Sequence, residues 1–190
     1  MIEVRIHGRG GQGNVAASYL LAGTAIDQGW HALAFPAFGA ERRGAPVAAF
    51  VRMDRSPFSR RDQIAHPDYL IVQDEALLHD AATLAGLKPG GGVLVNSPRT
   101  PAELGLDVKA YTLPANALAE KHLGRPVPNT ALLAAFITLT GLLPLEALSH
   151  ELGQRFKGAV LDKNRTLIAA AAEAVEADIW NQEVAHAAGA

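Results

Sequence analysis

Apolar and polar residues fall into alternating blocks along the chain. The first block, Met1 to His7, is an apolar run of strand type, and an amphipathic run begins at Asn14, with Gly8-Arg9-Gly10-Gly11-Gln12-Gly13 between them. That order predicts strand, glycine turn and helix. Val15, Tyr19, Ala22 and Ile26 recur at helical spacing and Gly29 suits a C-terminal stop, so the first helix is expected to pack on a sheet through that stripe. His31 to Phe35 and Val47 to Met53 follow as short strands. Their connection is too short and too rich in glycine and proline for a crossover helix, which predicts a third strand that is antiparallel or at an edge.

Arg55 to Asp68 is polar and punctuated by Pro57 and Pro67, a surface excursion with room for a short helical turn. Tyr69-Leu70-Ile71-Val72-Gln73 is a compact strand, and Asp74 is placed to cap a helix through about Ala85. Lys88-Pro89-Gly90-Gly91-Gly92 then returns the chain to a strand at Val93 to Asn96, with a last strand expected around Val108 to Thr112. Helical patterns fill the remainder: Ala115 to Leu123, Asn129 to Gly141, Pro144 to Leu152, and Val160 to about Gln182. On the last of these, Leu161, Asn164, Leu167, Ile168, Ala171, Val175 and Ile179 form one stripe. Asn129 to Gly141 has almost no polar face, so it is buried under the sheet or against another subunit. The whole reads as α/β: a Rossmann-like mixed, mostly parallel sheet flanked by helices, with a helical C-terminal part. No repeat or linker divides it, and residues 1–190 are expected to form a single domain.

Composition narrows the partners. At 49% hydrophobic, 19% charged and only 6% aromatic, burial rests on Ala, Leu and Gly. A net charge of -2 gives no electrostatic reason to propose nucleic acid or an anionic membrane as a partner. The chain has no cysteine, which excludes disulfides, thiolate catalysis, cysteine-type zinc sites and iron–sulfur ligation by its own side chains. The first residues carry no secretory pattern, and Ala131 to Leu143 falls short of the roughly 20 residues of a membrane helix. A cytoplasmic location is expected.

Four glycines in six positions, followed by a helix, suit a loop that lets a backbone approach a ligand and seats phosphate on exposed N–H groups. The same glycines could simply pack a tight strand-to-helix turn. A dinucleotide site would need an acid at the end of the second strand, where Phe35-Pro36 stands, while Asp27 falls inside the first helix. The seven histidines, His7, His31, His66, His79, His122, His150 and His186, lack metal-ligand spacing, and no metal site is expected. Hydrolase-elbow and NTPase phosphate-loop motifs are absent, so no catalytic residue is assigned. In Phe38-Gly39-Ala40-Glu41-Arg42-Arg43-Gly44, two adjacent guanidinium groups could clamp phosphate or a partner's carboxylates with Glu41 orienting one, or form a solvated turn. Pro128-Asn129-Thr130 is read as a helix start capped by Asn129.

Taken together, the glycine loop, Phe35 to Val47 with Glu41-Arg42-Arg43 at its centre, Arg52, Pro128-Asn129-Thr130 and Asn164 resemble the gamma subunit or domain of the 2-oxoacid:acceptor oxidoreductases, such as pyruvate:ferredoxin oxidoreductase. The likeness covers essentially the whole chain, with departures at Ala37 and Ala45. It implies a non-catalytic partner in a complex that converts a 2-oxoacid and coenzyme A to acyl-CoA and CO2, passing electrons to ferredoxin or NAD. Thiamine diphosphate and iron–sulfur clusters would belong to the alpha, beta and ferredoxin-like delta subunits. This chain would help bind coenzyme A through Gly8, Arg9, Gly10, Gly11, Gln12 and Gly13, with Glu41, Arg42 and Arg43 as second-loop contacts or subunit anchors, and would cover the active site. Pyruvate, 2-oxoglutarate, branched-chain acids and aryl acids such as phenylglyoxylate all remain open as substrates. A free-standing nucleotide-binding reductase and a purely structural assembly subunit are the alternatives.

Overall fold

The computed structural model describes residues 1–37 and 44–181. Among these, six strands form one sheet: β1 (Ile2–Arg9), β2 (His31–Pro36), β3 (Pro46–Asp54), β4 (Tyr69–Val72), β5 (Gly92–Asn96) and β6 (Ala110–Leu113), in the order β2-β3-β1-β4-β5-β6. Five helices accompany them: α1 (Asn14–Asp27), α2 (Ala115–Leu123), α3 (Asn129–Thr140), α4 (Leu145–Arg155) and α5 (Gly158–Glu173). β1, β4, β5 and β6 run parallel. β3 is antiparallel to both β1 and β2, so it lies inside the sheet and β2 takes the edge. The short β2 to β3 connection forces that reversal, because a parallel return needs a crossover of a dozen or more residues.

Strand alternation builds a core on each face of the sheet. Ile2, Val4 and Ile6 of β1 join Tyr69 and Ile71 of β4 in the larger core, with Ala17, Leu20 and Leu21 of α1 and most of α3. Leu70 and Val72 point the other way, into a smaller core with Leu77, Val93 and Val95. On that second face β1 presents Glu3, Arg5 and His7. Glu3 and Arg52 are direct register partners, and Arg52 Nε donates to Glu3 Oε1 at 2.8 Å with both side chains buried.

Several expectations are corrected. Of the expected α1 stripe only Ala22 is buried; Tyr19 and Ile26 are 44% and 56% exposed, and the helix buries Ala17, Leu20, Leu21, Thr24 and Ala25 beside Ala22. Small side chains let the helix approach closely, and the larger Tyr19 and Ile26 are left at its margin. No helix runs from Asp74 to Ala85. Two 3-10 turns, Glu75–His79 and Ala81–Thr83, stand there, started by Asp74 and Asp80, whose carboxylates accept from Ala76 and Ala82 N–H. Arg5 donates to the Thr83 and Ala85 carbonyls at 3.0 and 2.8 Å, which gives those oxygens partners outside any helix. Arg55 to Asp68 contains no helical turn.

α5 ends at Glu173, well short of Gln182. The chain then folds back on the end of α3, where Asp178 and Trp180 N–H donate to the Thr138 and Leu139 carbonyls. This lets the Trp180 ring stack on Tyr69, 5.8 Å between centroids, while Ile179 is left 37% exposed. α3 itself is buried along eleven of its twelve residues by this chain's own sheet and helices, α5 foremost. Its apolar surface therefore needs no second subunit to cover it.

Candidate functional site

β1 is the parallel strand from which the chain turns in both directions: α1 carries it toward β2 and β3, whereas β4, β5 and β6 build outward on the opposite side. The crevice outside the carboxyl ends of β1 and β4 is thus the switch point where open α/β sheets bind ligands. The glycine loop lies there. Gly8 and Arg9 end β1, and the loop is tied to the start of β3 by Gly10 N–H donating to the Ala45 carbonyl at 2.9 Å and Gly44 N–H to the Gly10 carbonyl at 3.3 Å. Gln12 closes the turn upon itself: its N–H donates to the Arg9 carbonyl at 3.0 Å, and its Oε1 accepts from Arg9 N–H at 2.6 Å.

The glycines divide by role. A Cβ at Gly8 would collide with the Asn14 side chain, and one at Gly13 would collide with that of Asn129. These two make room for asparagines. Gly11 shares with Gly13 a positive φ that favours glycine, +93° here, but differs in its space, since among the described residues nothing lies within 4 Å of where its Cβ would be. It is open backbone. Gly13, at φ +79°, starts α1 with no side-chain cap and no acid in the first turn, so the helix presents uncapped N–H groups and its positive end at the crevice. That is the chemistry of an anion seat.

Charge is distributed along the same rim. Arg9 Nε contacts Asp74 Oδ2 at 2.5 Å and its Nη1 donates to the Gly44 carbonyl at 3.2 Å. Beside it, Glu75 accepts from the Ser97 hydroxyl and pairs with Arg99 at 2.9 Å, and these partners hold its carboxyl below the usual range, the Ser97 hydroxyl foremost. On the second face of the sheet, burial pushes the His7 imidazole down to about 4, with the adjacent Arg5 adding to the effect and Asp80 opposing it. Arg5 Nε donates to His7 Nε2 at 2.8 Å, which makes that nitrogen an acceptor.

Asn129 does not cap α3. It is the first residue of the helix, with Pro128 at the cap position, and its Nδ2 donates instead to the Gly13 carbonyl at 3.1 Å. Thr130 Oγ1 then reaches Asn164 Oδ1 at 3.2 Å, so the glycine loop is linked through α3 to α5. Two residues not singled out in the sequence also belong to the crevice. Asn14 Nδ2 donates to the Val47 carbonyl at 3.1 Å across Gly8, and Gln73, just past β4, is 1% exposed with its amide unpaired. A polar residue directly after an apolar strand, beside a glycine loop, was the available signal for Gln73.

Glu41, Arg42 and Arg43 lie outside the described residues. The residue that follows them, Gly44, is hydrogen-bonded to the glycine loop. Asp27 is the last residue of α1, just before the amino end of β2 rather than at a carboxyl end, and contacts His150, 3.2 Å from its Nδ1. Among the described residues no three His, Asp or Glu side chains come together as a metal site, and no helix is long and apolar enough to cross a membrane.

Comparison with known proteins gives a consistent match. Residues 3–174 match the family model described as pyruvate ferredoxin/flavodoxin oxidoreductase. The chain is 44% identical over 176 residues to pyruvate synthase subunit PorC of Methanothermobacter thermautotrophicus, covering 93% of this chain and 97% of that one. It is 43% identical over 169 residues to the pyruvate/ketoisovalerate oxidoreductases common subunit gamma of Thermococcus kodakarensis, covering 86% and 91%. The crystal structure of pyruvate oxidoreductase subunit PORC from Thermotoga maritima superposes with a TM-score of 0.82 at 34% identity, covering 90% and 95%.

Proposed function

Since the chain belongs to the pyruvate ferredoxin/flavodoxin oxidoreductase family, we propose that it is the gamma subunit of a 2-oxoacid oxidoreductase complex with pyruvate as its leading substrate. In that reaction a 2-oxoacid and coenzyme A yield acyl-CoA and CO2, and two electrons pass to ferredoxin or NAD. The names of the relatives support the subunit role over nearly their full length, and one of them includes ketoisovalerate, which makes a branched-chain acid the second substrate to try. 2-Oxoglutarate and aryl acids such as phenylglyoxylate follow.

Within the complex this chain contributes a seat for coenzyme A and a cover over the thiamine diphosphate site. The observation that carries the reading is the uncapped start of α1 beside the open backbone of Gly11, at the switch point of the sheet. Gly11 and Gly13 bring N–H groups to the diphosphate, Gln12 holds the loop in shape, and Gly8 and Gly10 fix it to the sheet. Arg9 supplies charge at the rim, moderated by Asp74. Glu41, Arg42 and Arg43 act as second-loop contacts or subunit anchors. Thiamine diphosphate and the iron–sulfur clusters reside in the alpha, beta and ferredoxin-like delta subunits, and the location is cytoplasmic.

The test is 2-oxoacid-dependent dye reduction by the purified complex, with each subunit omitted in turn and the lone chain assayed with NAD(P)H and simple carbonyl compounds. Coenzyme A-dependent turnover that needs this chain is expected. Robust turnover by the chain alone would replace this reading with a free-standing reductase.

A further inference from the structure

Gln73 is held firmly at its main chain and not at all at its side chain. Its N–H donates to the His7 carbonyl at 2.8 Å and its carbonyl accepts from Asn96 Nδ2 at 2.9 Å. The side chain is 1% exposed, yet among the described residues neither Nε2 nor Oε1 has a hydrogen-bond partner. Register places it: Ile6 is opposite Ile71, so the residue two further along β4's line lies beside Gly8, on the face that Tyr69 and Ile71 share with α1. The Oδ1 atoms of Asn14 and Asn129 are buried and unpaired there as well, the first packed over Gly8 and the second near Gly13. Three amides thus meet the crevice with four unpaired atoms.

An amide buried with both ends unpaired lowers the stability of the chain that carries it, whereas methionine would fill the same volume without that penalty. A binding cleft is where such a local conflict is retained for the sake of a ligand. The diphosphate proposed for this crevice offers only acceptors, so it satisfies the Gln73 N–H group and leaves Oε1 alone. Both ends are satisfied by a group that presents a donor and an acceptor side by side, as an amide or a purine edge does.

We propose that Gln73 is a binding residue of the crevice, its amide turning outward to pair with a donor–acceptor group of the ligand next to the anion seat. This rests on the coenzyme A reading above, and coenzyme A carries two groups of that chemistry: the amides of its pantetheine arm and the edge of its adenine. Gln73 then contributes to selecting coenzyme A over a simple diphosphate.

The experiment uses the complex assembled with wild-type, Gln73→Met or Gln73→Ala chain. The KM for coenzyme A should rise about tenfold in both variants while kcat and the 2-oxoacid KM hold, as expected for two lost neutral hydrogen bonds. The melting temperature of the full-length Gln73→Met chain should rise by about 2–4 °C without ligand. Inhibition by pantetheine and by the adenosine bisphosphate half of coenzyme A tells the two sources apart, because only the half that touches Gln73 should bind less well to the variants. An unchanged KM in both variants, or a lower melting temperature for Gln73→Met, overturns the proposal. A KM that responds at Gly11 and not at Gln73 refutes this inference alone; one that responds at neither refutes the coenzyme A seat itself.

Discussion

Replacing Gly13 by alanine should destabilise the chain well beyond what its backbone conformation alone would account for. An L-residue held at the left-handed φ of +79° costs about 1–2 kcal/mol. The new Cβ also collides with the Asn129 amide, which must leave the Gly13 carbonyl that it binds at 3.1 Å. Losing that bond at the head of a buried helix adds about 1–2 kcal/mol, since Asn129 is 8% exposed and its Oδ1 is already unpaired. The sum is about 3 kcal/mol, or a fall of roughly 6–12 °C in melting temperature for a chain of this length. Gly11→Ala is the control: φ is +93° but, among the described residues, no atom lies within 4 Å of the added carbon, so only the backbone contribution of about 1–2 kcal/mol remains. Urea denaturation of both full-length variants, with Asn129→Ala added to complete a cycle, isolates the contact. If Gly13→Ala is no worse than Gly11→Ala, the asparagine link between loop and α3 contributes nothing and the reasoning fails.

Three further substitutions probe the second face of the sheet. The His7 pKa is lowered from 6.5 to about 4, so the unfolded chain binds more protons between those values; stability is complete above about pH 6.5 and falls toward pH 4, by on the order of 2–3 kcal/mol. His7→Gln should flatten the decline in urea midpoint from pH 7 to pH 4.5, and an unaltered slope would contradict the assignment. Arg52→Met leaves the Glu3 carboxylate buried, with Arg60 and Lys88 at 3.6 Å as its remaining cations among the described residues, and should cost about 3 kcal/mol in urea denaturation. Glu3→Gln combined with Arg52→Met should cost less than the two single changes summed, and strict additivity would show that the pair is not coupled.

The β1, glycine turn and α1 unit was legible because an apolar run, glycines and a polar helix start follow one another within a few residues, and local physics decides all three. The reversal at β3 was legible for the same reason, since eleven residues rich in glycine and proline cannot hold a crossover helix. What the chain does between β4 and β5 was not. The Arg5 side chain, about 80 positions away, takes the Thr83 and Ala85 carbonyls, and a long-range bond of that kind leaves no periodic trace. The all-round apolar pattern of α3 fits burial under the sheet or against another subunit equally well, and only the fold decides, with α5 and the returning Trp180 segment covering it within the chain. Asn129 resembled a cap because it stands at a helix start, yet one position decides the outcome: as the first helical residue its side chain faces the glycine loop and takes a carbonyl there. Asn14 and Gln73 were passed over for a similar reason, being ordinary residues for a helix start and a strand end until the fold sets them on either side of Gly8.

If the glycine loop of this chain receives coenzyme A for a reaction carried out by other subunits, its open backbone at Gly11 should control the KM for coenzyme A. The measurement is that KM for the pyruvate-oxidising complex carrying Gly11→Val, compared with wild type at saturating pyruvate. Among the described residues no atom lies within 4 Å of where a Cβ at Gly11 would stand, so the added bulk of valine falls where the ligand is proposed to approach the backbone. The KM for coenzyme A should rise tenfold or more, with the pyruvate KM, subunit composition and iron–sulfur content unchanged. An assembled complex with an unchanged coenzyme A KM would contradict it, and would leave the loop as a strand-to-helix turn and nothing else.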